Sequence, residues 1–346
     1  PYFFVLLLNM TSKKSYTVGG LFSGVGGIEL GFIKNGFKVL WSNDIDHAAA
    51  ITFEKNNKIF NHQHHVKDIK HLDGGVLEPV DVLVGGFPCQ AFSIAGYRKG
   101  FNDDRGNLFF EIVRLVEQLK KRPKVLLLEN VKNFSTHDNG NTYKTVHDKL
   151  EDMGYCVFKE VLNTSVFTKI PQNRERTFII AFDEGPEAYL DPANKMSYLF
   201  DQIFPPKAKN NTDHIQKHLE NEVDEKYYYG PEKYMFDELK KTMKSKDTMY
   251  QWRRQYVREN KSDVCPTLTA NMGTGGHNVP LIIDDKGFRK LTPRECFNLQ
   301  GFPKSYKLPT EIATSQLYKQ AGNSVTVALV SVLAKLIKSA LDEKYG

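Results

Sequence analysis

Between Thr17 and about Ala181 the chain alternates short apolar runs with amphipathic stretches, and this alternation constrains its fold more than any other feature. The runs "YTVGGLF", "KVLWS", "VDVLVGG", "PKVLLLE" and "RTFIIAF" read as strands, rich in β-branched and aromatic residues and bounded by turn formers. Residues 107–121, "NLFFEIVRLVEQLKK", place Leu108, Ile112, Leu115, Val116 and Leu119 on one helical face. Near-continuous apolar strands separated by helices predict an α/β fold, a mixed and mostly parallel sheet with helices on both faces. Gly19 and Gly20 inside the first strand sit awkwardly in that scheme, because glycine weakens strand interiors.

At 346 residues the chain is long enough for roughly two domains. After about residue 185 the composition shifts towards Pro, Asn, Lys and Tyr, and 263–283, "DVCPTLTANMGTGGHNVPLII", reads as short strands broken by a Gly-rich turn. Near the end "VTVALVSVLAKLIKSAL" restores a helical pattern. The expected division is a catalytic and cofactor-binding unit over 11–190 and a smaller, irregular, mainly β unit over 191–312. A C-terminal segment, 313–346, is expected to return to the first unit, and 1–10 reads as a leader or a non-native remnant. The apolar stretch of "PYFFVLLLNM" is too short for a bilayer and lacks the flanks of a signal peptide, so no membrane partner is expected. Four scattered cysteines, none in a CxxC pair, argue against a disulfide framework and against zinc, and fit a reducing, cytoplasmic setting. A formal net charge of +6 permits an acidic partner without demanding one.

Several short motifs fall where such a fold places its chemistry. In "LFSGVGGIELGF", Gly24, Gly26 and Gly27 follow a predicted strand and precede a predicted helix, and Asp44 ends the next strand. That context suits a nucleotide-type cofactor, although the spacing satisfies neither GxGxxG nor a P-loop and a plain tight turn explains the glycines equally. Asp68, at the end of "HHVKDI", is a second acid at the same predicted edge, or a solvated surface residue. Cys89 follows Pro88 in "GGFPCQAFSIAG", beyond the carboxyl end of a strand, where a thiolate is a nucleophile if nearby positive charge lowers its pKa. Glu129 ends "LLLE" at the same edge, and partial burial would raise its pKa towards neutrality. Arg174 and Arg176 alternate and so share one strand face, a pairing suited to phosphate or carbonyl oxygens. Residues 241–261 hold seven basic side chains against two acidic, interleaved with Tyr250, Trp252 and Tyr256, which is a nucleic-acid footprint or an ordinary solvated face. His62, His64, His65 and His71 lack a metal-binding pattern and read as surface.

Taken in order, Phe22–Gly27, Pro88-Cys89-Gln90, Glu129-Asn130-Val131, Gln172-x-Arg174-x-Arg176, "RKLTPRECFNLQGFP" (289–303) and "QAGNSV" (320–325) resemble the DNA (cytosine-5) methyltransferases of bacterial restriction–modification type. The resemblance runs from about Thr17 to the C-terminus. It implies methylation of carbon 5 of a flipped-out cytosine in a short duplex DNA sequence, with S-adenosylmethionine as cofactor and Cys89 as covalent nucleophile. By the same resemblance Glu129 would protonate the ring nitrogen, Arg176 would hold the ring carbonyl, and Arg174 would lie nearby on phosphate or loop. Phe22, Gly24, Gly26, Gly27, Asp44, Ile45, Asp68, Pro88 and Asn323 match cofactor-contacting positions, with Ile45 smaller than the side chain many members stack on adenine. Gln90 and Ser93 would fill the gap left by the flipped base, while Arg253, Arg254, Arg258 and Thr267 would contact DNA from the target-recognition region. The family also implies a monomer near the nucleoid, a possible partner nuclease sharing the site, and no metal. Three other readings share parts of the pattern. They are a tRNA-methylating branch of the family, a silent DNA-binding relative, which the presence of Cys89, Glu129 and both arginines disfavours, and a nicotinamide-dependent oxidoreductase, for which the glycine spacing is wrong and Cys89, Glu129 and the C-terminal motifs go unexplained.

Overall fold

The computed structural model describes residues 15–88, 108–184, 203–206, 212–260, 264–274 and 277–345. Seven strands form the main sheet: β1 (Thr17–Leu21), β2 (Lys38–Asp44), β3 (Gln63–Val66), β4 (Val82–Gly86), β5 (Val125–Val131), β6 (Tyr155–Asn163) and β7 (Glu175–Asp183). Their order is β3-β2-β1-β4-β5-β7-β6, and only β7 runs against its neighbours. The strands expected before residue 185 are all present, whereas of the short strands expected in 263–283 only Val279–Ile283 forms among the described residues. β6 was not anticipated: it lies at an edge with several half-exposed residues, so its sequence lacks a continuous apolar run.

Strand alternation splits the core into two layers. Val82, Val84, Val125 and Leu127 face one layer, and Leu83, Leu126 and Leu128 face the other. Helices α1 (Gly27–Ile33) and α2 (His47–Lys55) follow β1 and β2, and α3 (Leu108–Gln118) and α4 (Asn141–Asp152) precede β5 and β6. Ile112, Leu115 and Val116 of α3 and Val146 and Leu150 of α4 cover the second layer. The awkward glycines of β1 have a spatial reason. A Cβ at Gly19 would overlap the Trp41 ring, and one at Gly20 would overlap the Glu29 carboxyl group.

A second, antiparallel sheet is built from β8 (Met249–Trp252), β9 (Val257–Asn260), β10 (Val279–Ile283) and β11 (Phe288–Lys290), in the order β11-β10-β8-β9. Helices α5 (Pro293–Leu299), α6 (Thr314–Asn323) and α7 (Val327–Tyr345) follow. The return to the first unit begins earlier than residue 313. Leu291, Phe297, Phe302 and Tyr306 pack with Val25, Leu30, Phe53 and Phe60, and the Tyr306 hydroxyl donates to the Val25 carbonyl at 2.8 Å. The turn into α5 is locked by a buried ion pair, with Arg289 Nη1 and Nη2 each 2.8 Å from a Glu295 carboxylate oxygen. Glu295 also completes a capping box with Thr292. The segment Thr314–Tyr345 is long and apolar enough to cross a membrane by length and composition. Within it Leu329, Val330, Leu333 and Ile337 of α7 are core residues of the first layer.

Candidate active site

In the main sheet the strand order reverses between β1 and β4, and open α/β sheets bind ligands beyond the carboxyl ends of the strands at such a point. Because β1 to β5 are parallel, the residues after each strand share one edge. Phe22 follows β1, Asp44 ends β2 with Ile45 after it, Asp68 lies just beyond β3, Pro88 just beyond β4, and Glu129 near the end of β5. Antiparallel β7 begins at that edge, so Arg176 pairs with Val131 there.

The loop after β1 winds through left-handed backbone at Phe22 (φ 54), Gly24 (φ 52) and Gly26 (φ 78), the last being the N-cap of α1. A phenylalanine in that region is uncommon, and the hydrogen bonds around it hold the turn. Asp44 accepts the Gly24 N–H at 2.7 Å and the Asp46 N–H at 2.8 Å. Burial pushes the Asp44 carboxyl up, and these two backbone donors pull it back. A Cβ at Gly24 would meet only Asp44 Oδ2, at 4.0 Å, so the loop opens onto free space bordered by a carboxylate. Ile45, an apolar side chain, is 61% exposed beside it. Such a cradle, with a carboxylate for hydroxyls and an apolar wall for a ring, fits an adenosine-type cofactor. Asp68 accepts the Lys70 N–H at 3.0 Å and so caps a short turn at the same edge. Asn323 arrives from the far end of the chain: a Cβ at Gly27 would overlap Ser324, which brings the end of α6 against the glycine loop.

Glu129 is 9% exposed, and Arg176 Nε lies 3.1 Å from its Oε1. Burial raises the Glu129 pKa, while Arg176 and then Arg174 pull it down, and burial wins. Beside it Asn130 Nδ2 donates to the Phe87 carbonyl at 3.0 Å, fixing the end of β4 immediately before Pro88. The sequence motif flagged Asn130 only as Glu129's neighbour. Cys89, Gln90 and Ser93 lie outside the described residues.

Of the two partners expected for Arg174, phosphate or loop, the structure shows loop backbone. It is 2% exposed, and its Nη1 donates to the Leu268 carbonyl at 2.8 Å while Nη2 donates to the carbonyls of Gly322 (2.9 Å) and Ser324 (2.7 Å). Its fork is therefore spent on the carbonyls of the loop at 268 and the end of α6, and not on phosphate. Gln172 does similar work, donating to the Leu299 carbonyl at 2.7 Å and accepting the Leu268 N–H at 3.2 Å. The two arginines thus divide: Arg176 meets Glu129, and Arg174 ties 268 and 322–324 to the start of β7.

Of the residues expected on DNA, Arg253, Arg258 and Thr267 line one recess of about 240 Å³ on the second sheet. Thr267 also donates its hydroxyl to the Asn173 carbonyl at 2.6 Å. Arg254 stands apart at the exposed tip of the β8–β9 hairpin, with φ 66. The histidine group is not a plain surface patch. Ser42 Oγ lies 2.8 Å from both His62 Nε2 and His64 Nδ1, and His64 stacks on Phe53, so burial pushes its pKa down to about 4.

Residues 16–339 match the family model described as C-5 cytosine-specific DNA methylase. The Type II methyltransferase M.Bsp6I of Bacillus sp. (strain RFL6) is 47% identical over 330 residues, covering 94% of this chain and 99% of that protein. The Type II methyltransferase M.HhaI of Haemophilus parahaemolyticus is 34% identical over 333 residues, covering 94% of each. Among solved structures, a mutant DNMT2 of Spodoptera frugiperda superposes with a TM-score of 0.70 at 23% identity, covering 93% of this chain and 99% of that one, a likeness of fold.

Proposed function

The chain belongs to the C-5 cytosine-specific DNA methylase family, and from that premise we propose how its residues methylate cytosine in duplex DNA. Members depend on S-adenosylmethionine, and the cradle at the edge of the sheet fits it. Asp44 and Asp68 would bind its polar groups, Phe22 and Ile45 its adenine, and Gly24, Gly26 and Gly27 its close approach to backbone, with Pro88 and Asn323 bordering the site. When bound, S-adenosylmethionine supplies an electrophilic methyl group.

The observation that carries the mechanism is the buried, Arg176-paired carboxyl group of Glu129 at the edge where Pro88 follows β4. Cytosine carbon 5 is a poor nucleophile within an electron-poor ring. Cys89, as thiolate, adds to the adjacent ring carbon and forms a C–S bond, and Glu129 gives its proton to the ring nitrogen that receives the displaced electrons. Burial helps here, because it favours the protonated form of the carboxyl group over the charged one. Arg176 steadies Glu129 and holds the ring carbonyl oxygen, so developing charge meets fixed donors. Once carbon 5 carries the methyl group, its proton leaves to water, the C–S bond breaks so that Cys89 returns as thiolate, and the ring nitrogen gives its proton back to Glu129. Arg174 serves as a positioning residue, through the three carbonyls it holds.

Because the reacting atoms lie inside the stack, the cytosine must leave the duplex, with Gln90 and Ser93 near the vacated space. Acting on duplex DNA, the enzyme would work in the cytoplasm at the nucleoid, as a monomer. The Type II names of its relatives fit a partner nuclease sharing the site. The family description names DNA, and nothing favours the tRNA alternative.

The test is methyl transfer from labelled S-adenosylmethionine to duplex DNA and to tRNA, followed by bisulfite sequencing. Wild type should label DNA at one short motif, Cys89→Ala should be inactive, and Glu129→Gln should fall by roughly 100-fold or more. Transfer by Cys89→Ala at the wild-type rate would sink the mechanism.

A further inference from the structure

We propose that the recess on the second sheet reads guanine, through Arg253 and Arg258 held side by side by Gln251. The inference rests on the duplex-DNA reading and deepens it.

Strand register builds the recess. Gln251 on β8 stands opposite Arg258 on β9, and Arg253, two residues after Gln251, projects to the same face. Trp252 pairs with Val279, which sets Asn278 beside Arg253. The opposite face carries Tyr250, Trp252 and Val257 into a small core with Leu239 and Leu281, so the polar face cannot turn inward. Gln251 is 3% exposed although it sits on that polar face. Its Oε1 accepts from Arg253 Nη1 at 3.2 Å and from Arg258 Nη2 at 3.1 Å. Asn278 Oδ1 takes a second bond from Arg253 Nη1 at 2.9 Å.

One buried amide oxygen therefore pins two like-charged groups together, an arrangement that costs energy unless something uses it. Each guanidinium has donors in a planar fork, and only one nitrogen of each is engaged. Among the described residues Nε and Nη2 of Arg253, and Nε and Nη1 of Arg258, have no partner. On Arg253 the Nε–H and Nη2–H are parallel and match O6 and N7 of guanine in the major groove, and on Arg258 the Nη1–H does so together with the second Nη2–H, a pattern no other base edge offers. None of the described residues lining the recess is acidic, while Asn260, Thr267 and Thr269 add short polar groups suited to base edges. Asn173 also lines the recess, and its carbonyl and N–H bond Thr267 and Cys265. Arg176, three residues on, is in the active site, so the guanines read here lie near the target cytosine. Arg254 differs: exposed at the hairpin tip and unheld, it suits a phosphate, which positions without specifying.

The experiment is methylation of a randomised duplex library by wild type, Arg253→Met, Arg258→Met, Gln251→Ala and Arg254→Ala, with the consensus around each methylated cytosine read by bisulfite sequencing. The methionine variants keep the aliphatic stems at partly exposed positions, and melting curves confirm that each variant is folded. Wild type should require two guanines besides the one paired with the target cytosine. Arg253→Met and Arg258→Met should each relax one of them, discrimination there falling roughly 10- to 100-fold. Gln251→Ala should relax both, which a merely structural role would not do. Arg254→Ala should keep the consensus, weaken binding on all sequences and reduce the salt slope by about 1. An unchanged consensus in both methionine variants, or a wild-type consensus without such guanines, overturns the inference while leaving the duplex-DNA reading intact. A wild type that methylates no duplex overturns both.

Discussion

Glu29 has no place in the proposed chemistry, yet its setting makes it a reporter of the site. It is fully buried in α1, and neither carboxyl oxygen has a hydrogen-bond partner among the described residues. Burial pushes its pKa up to about 7, Asp44 adds to the rise, and the Ser23 hydroxyl beside it pulls the other way. Between the ordinary value of 4.5 and about 7 the unfolded chain gives up this proton while the native state keeps it. Stability therefore falls as pH rises through that window and is level above it, at a cost of roughly 3 kcal/mol. Glu29→Gln keeps the shape without the titration. It should raise the melting temperature by several degrees at pH 8 and by much less at pH 4.5; an equal shift at both would mean Glu29 is not the titrating group. In "GGIELGF" nothing announces this burial, because a glutamate on a short helix ordinarily faces water. The cue was Gly20, whose missing side chain makes room for the carboxyl group nine residues away.

Helix α1 is short, and its place depends on α7, which comes from the opposite end of the chain. Gly31 is the point of closest approach: a Cβ there would lie 2.6 Å from Val330 Cγ1 and 3.1 Å from the Ser331 backbone. Gly31→Leu should destabilise the protein by about 3 kcal/mol or more by overpacking, seen as a lowered melting temperature. It should also weaken cofactor binding, because α1 carries the glycine loop at its N-terminus. A variant that melts like wild type would show that the two helices separate freely. At this scale the sequence was largely legible. Periodicity marked α3 and five strands of the main sheet, since apolar spacing is a local property. β6 escaped because an edge strand with exposed residues lacks the apolar run that identifies its buried neighbours.

In the whole molecule, Arg174 and Gln172 join the recognition segment at Leu268, the turn at 299 and the end of α6 to the catalytic sheet. Arg174→Lys cannot serve three carbonyls in two directions and leaves buried acceptors unmet, so it should cost about 3 kcal/mol or more and lower the melting temperature markedly. Arg176→Lys should melt close to wild type and lose kcat instead, since its partner is Glu129. Equal loss of stability in both variants would contradict this division of labour. Two arginines one residue apart look equivalent in a sequence, and only their surroundings separate them.

The sequence by itself determined the alternation of strands and helices, the glycine turn after β1, and the strand ends that carry Asp44, Pro88 and Glu129. Those features follow from apolar period and turn chemistry, which act over a few residues. Tertiary structure alone decided that Glu29 is buried, that Arg174 is a clamp, that Ser324 at the end of α6 meets the glycine loop, and that Gln251 couples two arginines. These are matters of burial and of partners brought together by packing, often from more than a hundred residues away. A side chain's pKa and its free donors are set by that company, and no local pattern encodes it.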